Sequence, residues 1–408
     1  MADNSNENSN SSEESSSDSV SETSSQGWLS RLGGAIKGIF VGLIMVIAAF
    51  PLLFWNEGRA VRTAKSLDEG RGVVVTTLSE RVDPANEGKL VHTTGRAKTM
   101  VTLSDPVFGV SANAIALKRK VEMYQWKESS KSETKNKLGG GTETVTTYTY
   151  AKEWSESLQD SGKFKEKQGH NNPSSLPYKT EKWTADKVTL GAYTLTPSQA
   201  GQISGDEPLK AAASMIKSDI SRPLRDHGAG LYAGYNPEQP QVGDLRITFT
   251  QVGESDITIV AKQAGSTFEP YRAKAGATVD LQRKGIASAD DMFEAAKESN
   301  ATMTWILRAV GFILMAMGFG MMFKPLAILA SVLPILGDIV GAGTGIIAFL
   351  LASVLSLTTI AIAWIFYRPL LGVALLVVSG GAIYGIWHLV GKFRARRVSS
   401  AAPAATPA

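Results

Sequence analysis

Four histidines, His92, His170, His227 and His388, are the side chains best placed by type to move protons or bind a metal near neutral pH. None sits in the His-x-x-x-His or Glu-x-x-His spacing that sets two ligands on one helix face. His170 alone lies in a dense polar cluster, Gly169-His170-Asn171-Asn172-Pro173. Two uses fit it: a site shared with Trp154 and Tyr178, or a loop fastening. The second is the expected one, and Trp154, His170, Asn171 and Tyr178 then mark a candidate face for a partner or ligand. His388 closes an apolar run and reads as an interfacial residue.

Adjacent acids such as Asp68-Glu69 and Asp290-Asp291 point about 100° apart on a helix, so they make poor catalytic dyads. They read as solvated or capping groups. The chain has no cysteine, which removes thiolate nucleophiles, thiolate metal sites and disulfides. It has no Gly-x-x-x-x-Gly-Lys and no Gly-x-Ser-x-Gly. Gly341-Ala342-Gly343-Thr344-Gly345 follows no strand and reads as the start of a helix. A net charge of +4 over 408 residues gives no reason to expect a nucleic-acid partner. No catalytic residue, cofactor or metal site is expected.

The ionisable residues with the most unusual setting are Glu57 and Arg59, in Asn56-Glu57-Gly58-Arg59 directly after Phe54-Trp55. They border a long apolar run. They are expected either to pair with the outer ends of later runs, Arg368 in Tyr367-Arg368-Pro369 included, or to anchor the chain at a membrane surface.

The elements that must hold these residues are apolar runs and strands. Ile36–Trp55, Trp305–Phe323, Gly343–Tyr367 and Leu370–Leu389 are each near the roughly 20 residues needed to cross a hydrocarbon core. The sequence therefore predicts an α+β membrane protein. One transmembrane helix leads, three trail, and a large β-rich extracytoplasmic domain lies between the first and second. Residues 1–26 are polar and expected to be disordered; 27–55 hold the first span and its interfacial lead. Residues 56–300 form the domain, helical at 56–70 and 288–300, and 301–391 form the three-span block. Residues 392–408 form a basic, then Ala/Pro-rich, cytoplasmic tail. Lys324–Val340, broken by Pro325 and Pro334, reads as an interfacial or re-entrant turn.

Small residues four apart recur in or beside every span: Gly34, Gly38 and Gly42; Ala316 and Gly320; Gly341 and Gly345; Gly381 and Gly385. Such spacing lets backbones approach closely, within one chain or between copies. Arg308 and Lys37 lie near span ends, where long stems can snorkel, and the apolar cores offer only hydroxyls such as Ser356 and Thr359.

Between the spans, period-two patterns predict strands at Val73–Leu78, Lys89–Thr94, Ala114–Val121, Glu122–Lys127, Glu143–Trp154, Trp183–Leu195, Gly243–Gln251 and Asp256–Gln263. Ser129–Gly141 reads as a flexible hairpin loop and Gly253-Glu254-Ser255 as a turn. Ser288-x-x-Asp291 predicts a capped helix start. Lys392, Arg394, Arg396 and Arg397 after the last run place that end, and with four spans both termini, in the cytoplasm.

Several stretches together resemble the transmembrane protein 43 family, also called LUMA. They include Phe50-Pro51-Leu52-Leu53-Phe54-Trp55-Asn56-Glu57-Gly58-Arg59-Ala60, Val121-Glu122-Met123-Tyr124-Gln125-Trp126, Gly169-His170-Asn171-Asn172-Pro173-Ser174, Pro240-Gln241-Val242-Gly243-Asp244-Leu245-Arg246 and Trp364-Ile365-Phe366-Tyr367-Arg368-Pro369-Leu370. They are collinear from Gly27 to Leu370. The resemblance implies four spans, with residence in the endoplasmic reticulum and inner nuclear membrane of animal cells. It also implies self-association, binding to emerin and lamins, and no catalytic residues; in a bacterium the inner membrane takes that place. The expectation is a non-enzymatic scaffold in a lipid bilayer, homo-oligomeric, with unnamed protein partners. A membrane-tethered enzyme or a channel component stand as alternatives.

Overall fold

The computed structural model describes residues 18–213 and 223–370. The expected fourth span, with Gly381, Gly385 and His388, and the basic tail lie outside the described residues.

Helix α1 covers Trp28–Val73, 46 residues in one piece. At 1.5 Å per residue it is about 69 Å long, more than twice a hydrocarbon core of about 30 Å. The interfacial helix expected at 56–70 is thus the same helix continuing outward. Its outer half is amphipathic: Ala60, Val61 and Leu67 are buried. Pro51 lies inside the helix without ending it. Strands follow: β2 (Val75–Leu78), β3 (Leu90–Lys98), β4 (Thr102–Ser104), β5 (Ser111–Asn113), β6 (Ala116–Asn136), β7 (Thr142–Ser155), β8 (Glu181–Thr184), β9 (Thr189–Leu190) and β10 (Tyr193–Thr194). Ahead of α1 lies β1 (Ser19–Gln26). A short helix α2 (Pro197–Gln202) opens on a capping box from Thr196 and Gln199. Then come β11 (Glu207–Leu209), β12 (Leu224–His227), β13 (Gly230–Ala233), β14 (Leu245–Val252), β15 (Ser255–Ala264), β16 (Thr267–Glu269), β17 (Tyr271–Arg272), β18 (Thr278–Val279) and β19 (Leu281–Lys284).

Helix α3 covers Ala289–Ala330 and α4 covers Pro334–Tyr367. Ser288 caps α3 as its pattern predicts, its Oγ accepting from the Asp291 N–H at 3.1 Å. The interfacial segment expected at Lys324–Val340 is instead two helices joined by a turn at Ser331–Leu333. Pro325 sits within α3, and Pro334 opens α4 at the position where a missing N–H costs nothing. α1, α3 and α4 are the three described helices long and apolar enough to cross a membrane.

The strands form two main antiparallel sheets. One runs β1-β7-β6-β14-β13-β12, with β11 on β14 and β8 on β6. The other runs β10-β9-β3-β15-β16, with β19 on β15 and β2 parallel to β3. Phe108, Val121, Leu231, Ile247 and Phe249 fill the core of the first. Ile115, Leu190, Tyr193, Ile257 and Phe268 fill that of the second. A third cluster, with Leu67, Leu90, Val260 and Phe293, welds the second sheet to α1 and α3.

Three expectations change. The turn at Gly253-Glu254 joins no hairpin: β14 pairs with β6 and β15 with β3. Ile257, Thr258, Ile259, Val260 and Ala261 are consecutively buried, so β15 needs cover on both faces, which a two-strand unit cannot give. Ser129–Asn136 is strand rather than loop, and residues 19–26 are ordered as its third strand. Composition hides both, since these segments bury almost nothing. Hydroxyl ladders bind them across the strands instead: Ser132–Thr146 and Thr134–Thr144 at 2.9 Å, and Ser21–Thr147 at 3.1 Å.

Candidate functional site at the helix junction

The Asn56–Arg59 stretch lies at the crossing of all three long helices, and each of its residues reaches a neighbour. Asn56 Nδ2 donates to the Thr304 carbonyl at 3.0 Å. Glu57 is fully buried. Its Oε1 accepts from Arg308 Nε at 2.6 Å, and its Oε2 from Arg308 Nη2 at 2.9 Å and Trp364 Nε1 at 2.8 Å. Gly58 lies against Tyr367, whose Cζ would be 2.5 Å from an added Cβ, so any larger residue must push the ring aside. Arg59 donates to Asn300 Oδ1 at 2.9 Å, Thr304 Oγ1 at 3.0 Å and Asn56 Oδ1 at 3.2 Å. Asn300 closes the loop by donating to the Ala60 carbonyl at 3.0 Å.

Arg308 is flanked by two indoles, with Trp305 at 4.7 Å and Trp364 at 5.6 Å from its guanidinium carbon. Planar guanidinium suits both the bidentate carboxylate and the stacked rings. A buried carboxylate is tolerated when its charge is paired and its lone pairs are met. Both conditions hold for Glu57. The arrangement can lock three helices into one register, and it offers no free carboxylate oxygen for proton transfer. Beside it a recess of about 390 Å³ is lined by Ala64, Lys297, Thr304, Arg308 and Arg368, among others.

The sequence named Asn56, Glu57, Gly58, Arg59 and Tyr367 here, and the structure brings them together. The expected pairing with the outer ends of later runs is present, through Arg308 and Trp364. Arg368 lines the recess, and Arg308 makes the ion pair. Arg308 was read as a snorkelling side chain, although it is the lone charge within Trp305–Phe323, a setting that marks a buried role. Pro369 follows the end of α4, where its ring prevents continuation of the helix.

The small residues sort into three groups. Gly42 faces Gly318: a Cβ on Gly42 would overlap the Gly318 carbonyl, and one on Gly318 would lie 2.7 Å from the Gly42 carbonyl. Gly38 and Gly341 make ordinary contacts, at 3.9 Å to Met321 O and 3.8 Å to Ala327 Cβ. Ala316 packs on the cluster of Val46, Leu53, Met315 and Ala352. Gly34, Gly320 and Gly345 meet nothing within 4 Å. Sequence spacing missed Gly311 and Gly318, since a residue's partner across a crossing is set by another helix.

The residues of the candidate partner face each make local contacts. His170 is a loop fastening: its Nδ1 meets the Glu166 carbonyl at 3.1 Å and its Nε2 meets Asp18 Oδ2 at 2.9 Å. Its ring stacks on Tyr150, whose hydroxyl is pushed up to about 12 by burial and by its bond to Glu128. Asn171 is exposed, while Asn172 does the bonding, gripping both main-chain groups of Trp126 at 2.8 and 2.9 Å. Trp154 lies under Arg246 and beside Tyr124 and Tyr232. Tyr178 packs on Phe108 in another part of the first sheet. Among the described residues no cluster of histidine and carboxylate ligands could hold a metal.

Helices of membrane-spanning length joined by a buried ion pair, carrying a β-rich body, define an integral membrane protein of mixed α and β structure. The chain belongs to the transmembrane protein 43 family, whose model matches residues 123–369. Transmembrane protein 43 of Mus musculus is 37% identical over 355 residues, covering 84% of this chain and 88% of that protein. The Homo sapiens protein is 37% identical over 361 residues, covering 86% and 89%. The Drosophila melanogaster homolog is 32% identical over 362 residues, covering 85% and 92%. No solved structure matches. The matched segment contains Arg308, Trp364 and Tyr367, the α3 and α4 half of the junction.

Proposed function

We propose that the protein is a non-enzymatic membrane scaffold that self-associates and presents its β-rich domain to protein partners outside the cytoplasm. The observation that carries this reading is the continuity of α1 and α3. Both leave their apolar stretches as unbroken helix and end packed in the β body, through Leu67, Met292 and Phe293. Such a joint transmits position and orientation, which is what a scaffold needs and what a tethered enzyme on a loose linker lacks. The junction supports it too, because its charges are spent on holding helices. Gly34, Gly320 and Gly345 leave open helix faces on which a second copy can pack. The start of α1 and the turn between α3 and α4, at the ends away from the β body, are assigned to the cytoplasm, while Asp18, bonded to Tyr150 and His170, lies with the body. The compartment is the endoplasmic reticulum and inner nuclear membrane in a eukaryote, or the inner membrane in a bacterium.

The test is native mass measurement of the full chain in mild detergent, with crosslinking of co-purifying proteins. An oligomer with bound partner supports the proposal, and a partner-free monomer removes it. An impermeant thiol reagent on Lys274→Cys, in the turn between β17 and β18, tests the side. In bacterial spheroplasts labelling before lysis is expected, and in sealed eukaryotic microsomes labelling only after detergent; the reverse pattern in either contradicts the assignment.

A further inference from the structure

The distal halves of β6 and β7, with β1, form an arm that leaves the β body and returns to the far ends of the helices. At its tip the Gly139 N–H donates to the Val332 carbonyl at 3.2 Å, and Asn136 Nδ2 donates to Asp338 Oδ1 at 2.7 Å. Arg31 donates to the Gly140 carbonyl, and Trp28 packs against Gly140. Val332 lies in the turn between α3 and α4, the end opposite the β body. The arm therefore shares the depth of the apolar spans. Its strand segments 19–26, 129–136 and 142–149 are eight residues each, about 26 Å at 3.3 Å per residue, close to a hydrocarbon core of about 30 Å.

The arm is polar. Val20, Val145 and Tyr148 are its only sizeable apolar side chains in those segments, against Lys131, Glu133, Lys135, Glu22 and Glu143. It also has two unpaired edges among the described residues. Asn172 grips Trp126 on the side away from β7. Alternation along an antiparallel strand then turns the main-chain groups of Ser130, Ser132 and Thr134 outward as well. On the other side the Tyr150 N–H donates to the Asp18 carbonyl, so Asp18 faces β7 and Ser19, Ser21, Thr23 and Ser25 face outward. A polar sheet with open edges cannot face lipid, because unmet backbone groups find no hydrogen-bond partner there. Only closure removes the edges.

We propose that the occupant of these edges is a second copy of this chain: the β1 edge of one arm pairs with the β6 edge of the next, and successive arms close into a polar ring inside the helices. The two edges fit each other. β1 and distal β6 both run from the body to the tip, so copies related by rotation pair them in parallel, a head-to-tail contact that closes into a ring. The ring rests on the self-association proposed above and names its surface.

The natural absence of cysteine makes the test clean. Full chain carrying Ser21→Cys is mixed in mild detergent with full chain carrying Ser130→Cys, Ser132→Cys or Thr134→Cys, oxidised, and weighed. The expected result is an intermolecular disulfide between Ser21→Cys and at least one β6 position, in an oligomer of one defined size. Ser132→Pro, which deletes an outward donor and leaves the β7 ladder intact, is expected to reduce that oligomer several-fold. An oligomer that forms no such disulfide at any of the three positions overturns the ring and leaves self-association standing. A strict monomer overturns both.

Discussion

Adding one methyl group to Gly42 pits two rigid backbones against each other. The new Cβ would overlap the Gly318 carbonyl oxygen and lie 3.0 Å from Met322 Cγ and 3.2 Å from Met321 Cβ. A methionine end can move. The carbonyl cannot, because its position is fixed by the α3 helix. α1 and α3 must therefore separate locally, loosening Val46, Leu53 and Met315 around the crossing. Overpacking of this kind costs about 1–3 kcal/mol, and a main-chain obstacle places Gly42→Ala near the upper end. Gly38→Ala is the internal control. Its nearest neighbour is 3.9 Å away, so its effect stays within about 0.5 kcal/mol. The assay is denaturation of the purified full chain in mild detergent, followed by tryptophan fluorescence. Equal stability of the two variants would refute the crossing as described.

Three further outcomes follow from single contacts. Gly58→Ala should cost about 1–3 kcal/mol by displacing Tyr367, read in the same assay. Ser288→Ala removes the α3 cap and should cost about 1 kcal/mol, with Ser288→Asp restoring most of it. Glu122 is subject to burial, which raises its carboxyl pKa, yet the bonds from Lys120 and Arg246 outweigh that and hold it below the usual 4.5. Its contribution to stability is therefore present above about pH 4.5 and is lost as pH falls through the lower folded value. Glu122→Gln should flatten stability between pH 5 and the acid limb by about 1 kcal/mol or less, as suits a partly exposed pair; an unchanged acid profile contradicts the bonding.

Much of the helical layout was legible because apolar length and a capped start are local signals. Ser288 gave the start of α3, and the runs at Ile36, Trp305 and Gly343 gave the three described spans. The continuity of α1 through Asn56 was not legible, since Glu57 and Arg59 look like an interface until Arg308, Asn300 and Thr304 are placed beside them. Those partners lie more than 240 residues away. The same reason hid Gly318 behind Gly42. The arm escaped because Ser and Thr strands that bury nothing carry no period. Within the candidate site, Asn56-Glu57-Gly58-Arg59 stood out as charges against an apolar run, which is a local anomaly. That Arg308 rather than Arg368 answers Glu57 depends on the crossing of α1 and α3, and crossing geometry is written in no single segment.

The account turns on the Glu57–Arg308 pair as the fastener of three helices. Its most direct test is a double-mutant cycle on unfolding of the full chain, with Glu57→Gln, Arg308→Gln and both together. Each single change strands a buried partner and should cost about 3–5 kcal/mol. The double variant should lose clearly less than their sum, a coupling of about 1.5–3 kcal/mol. Single losses that simply add, to within about 0.5 kcal/mol, would contradict the pairing.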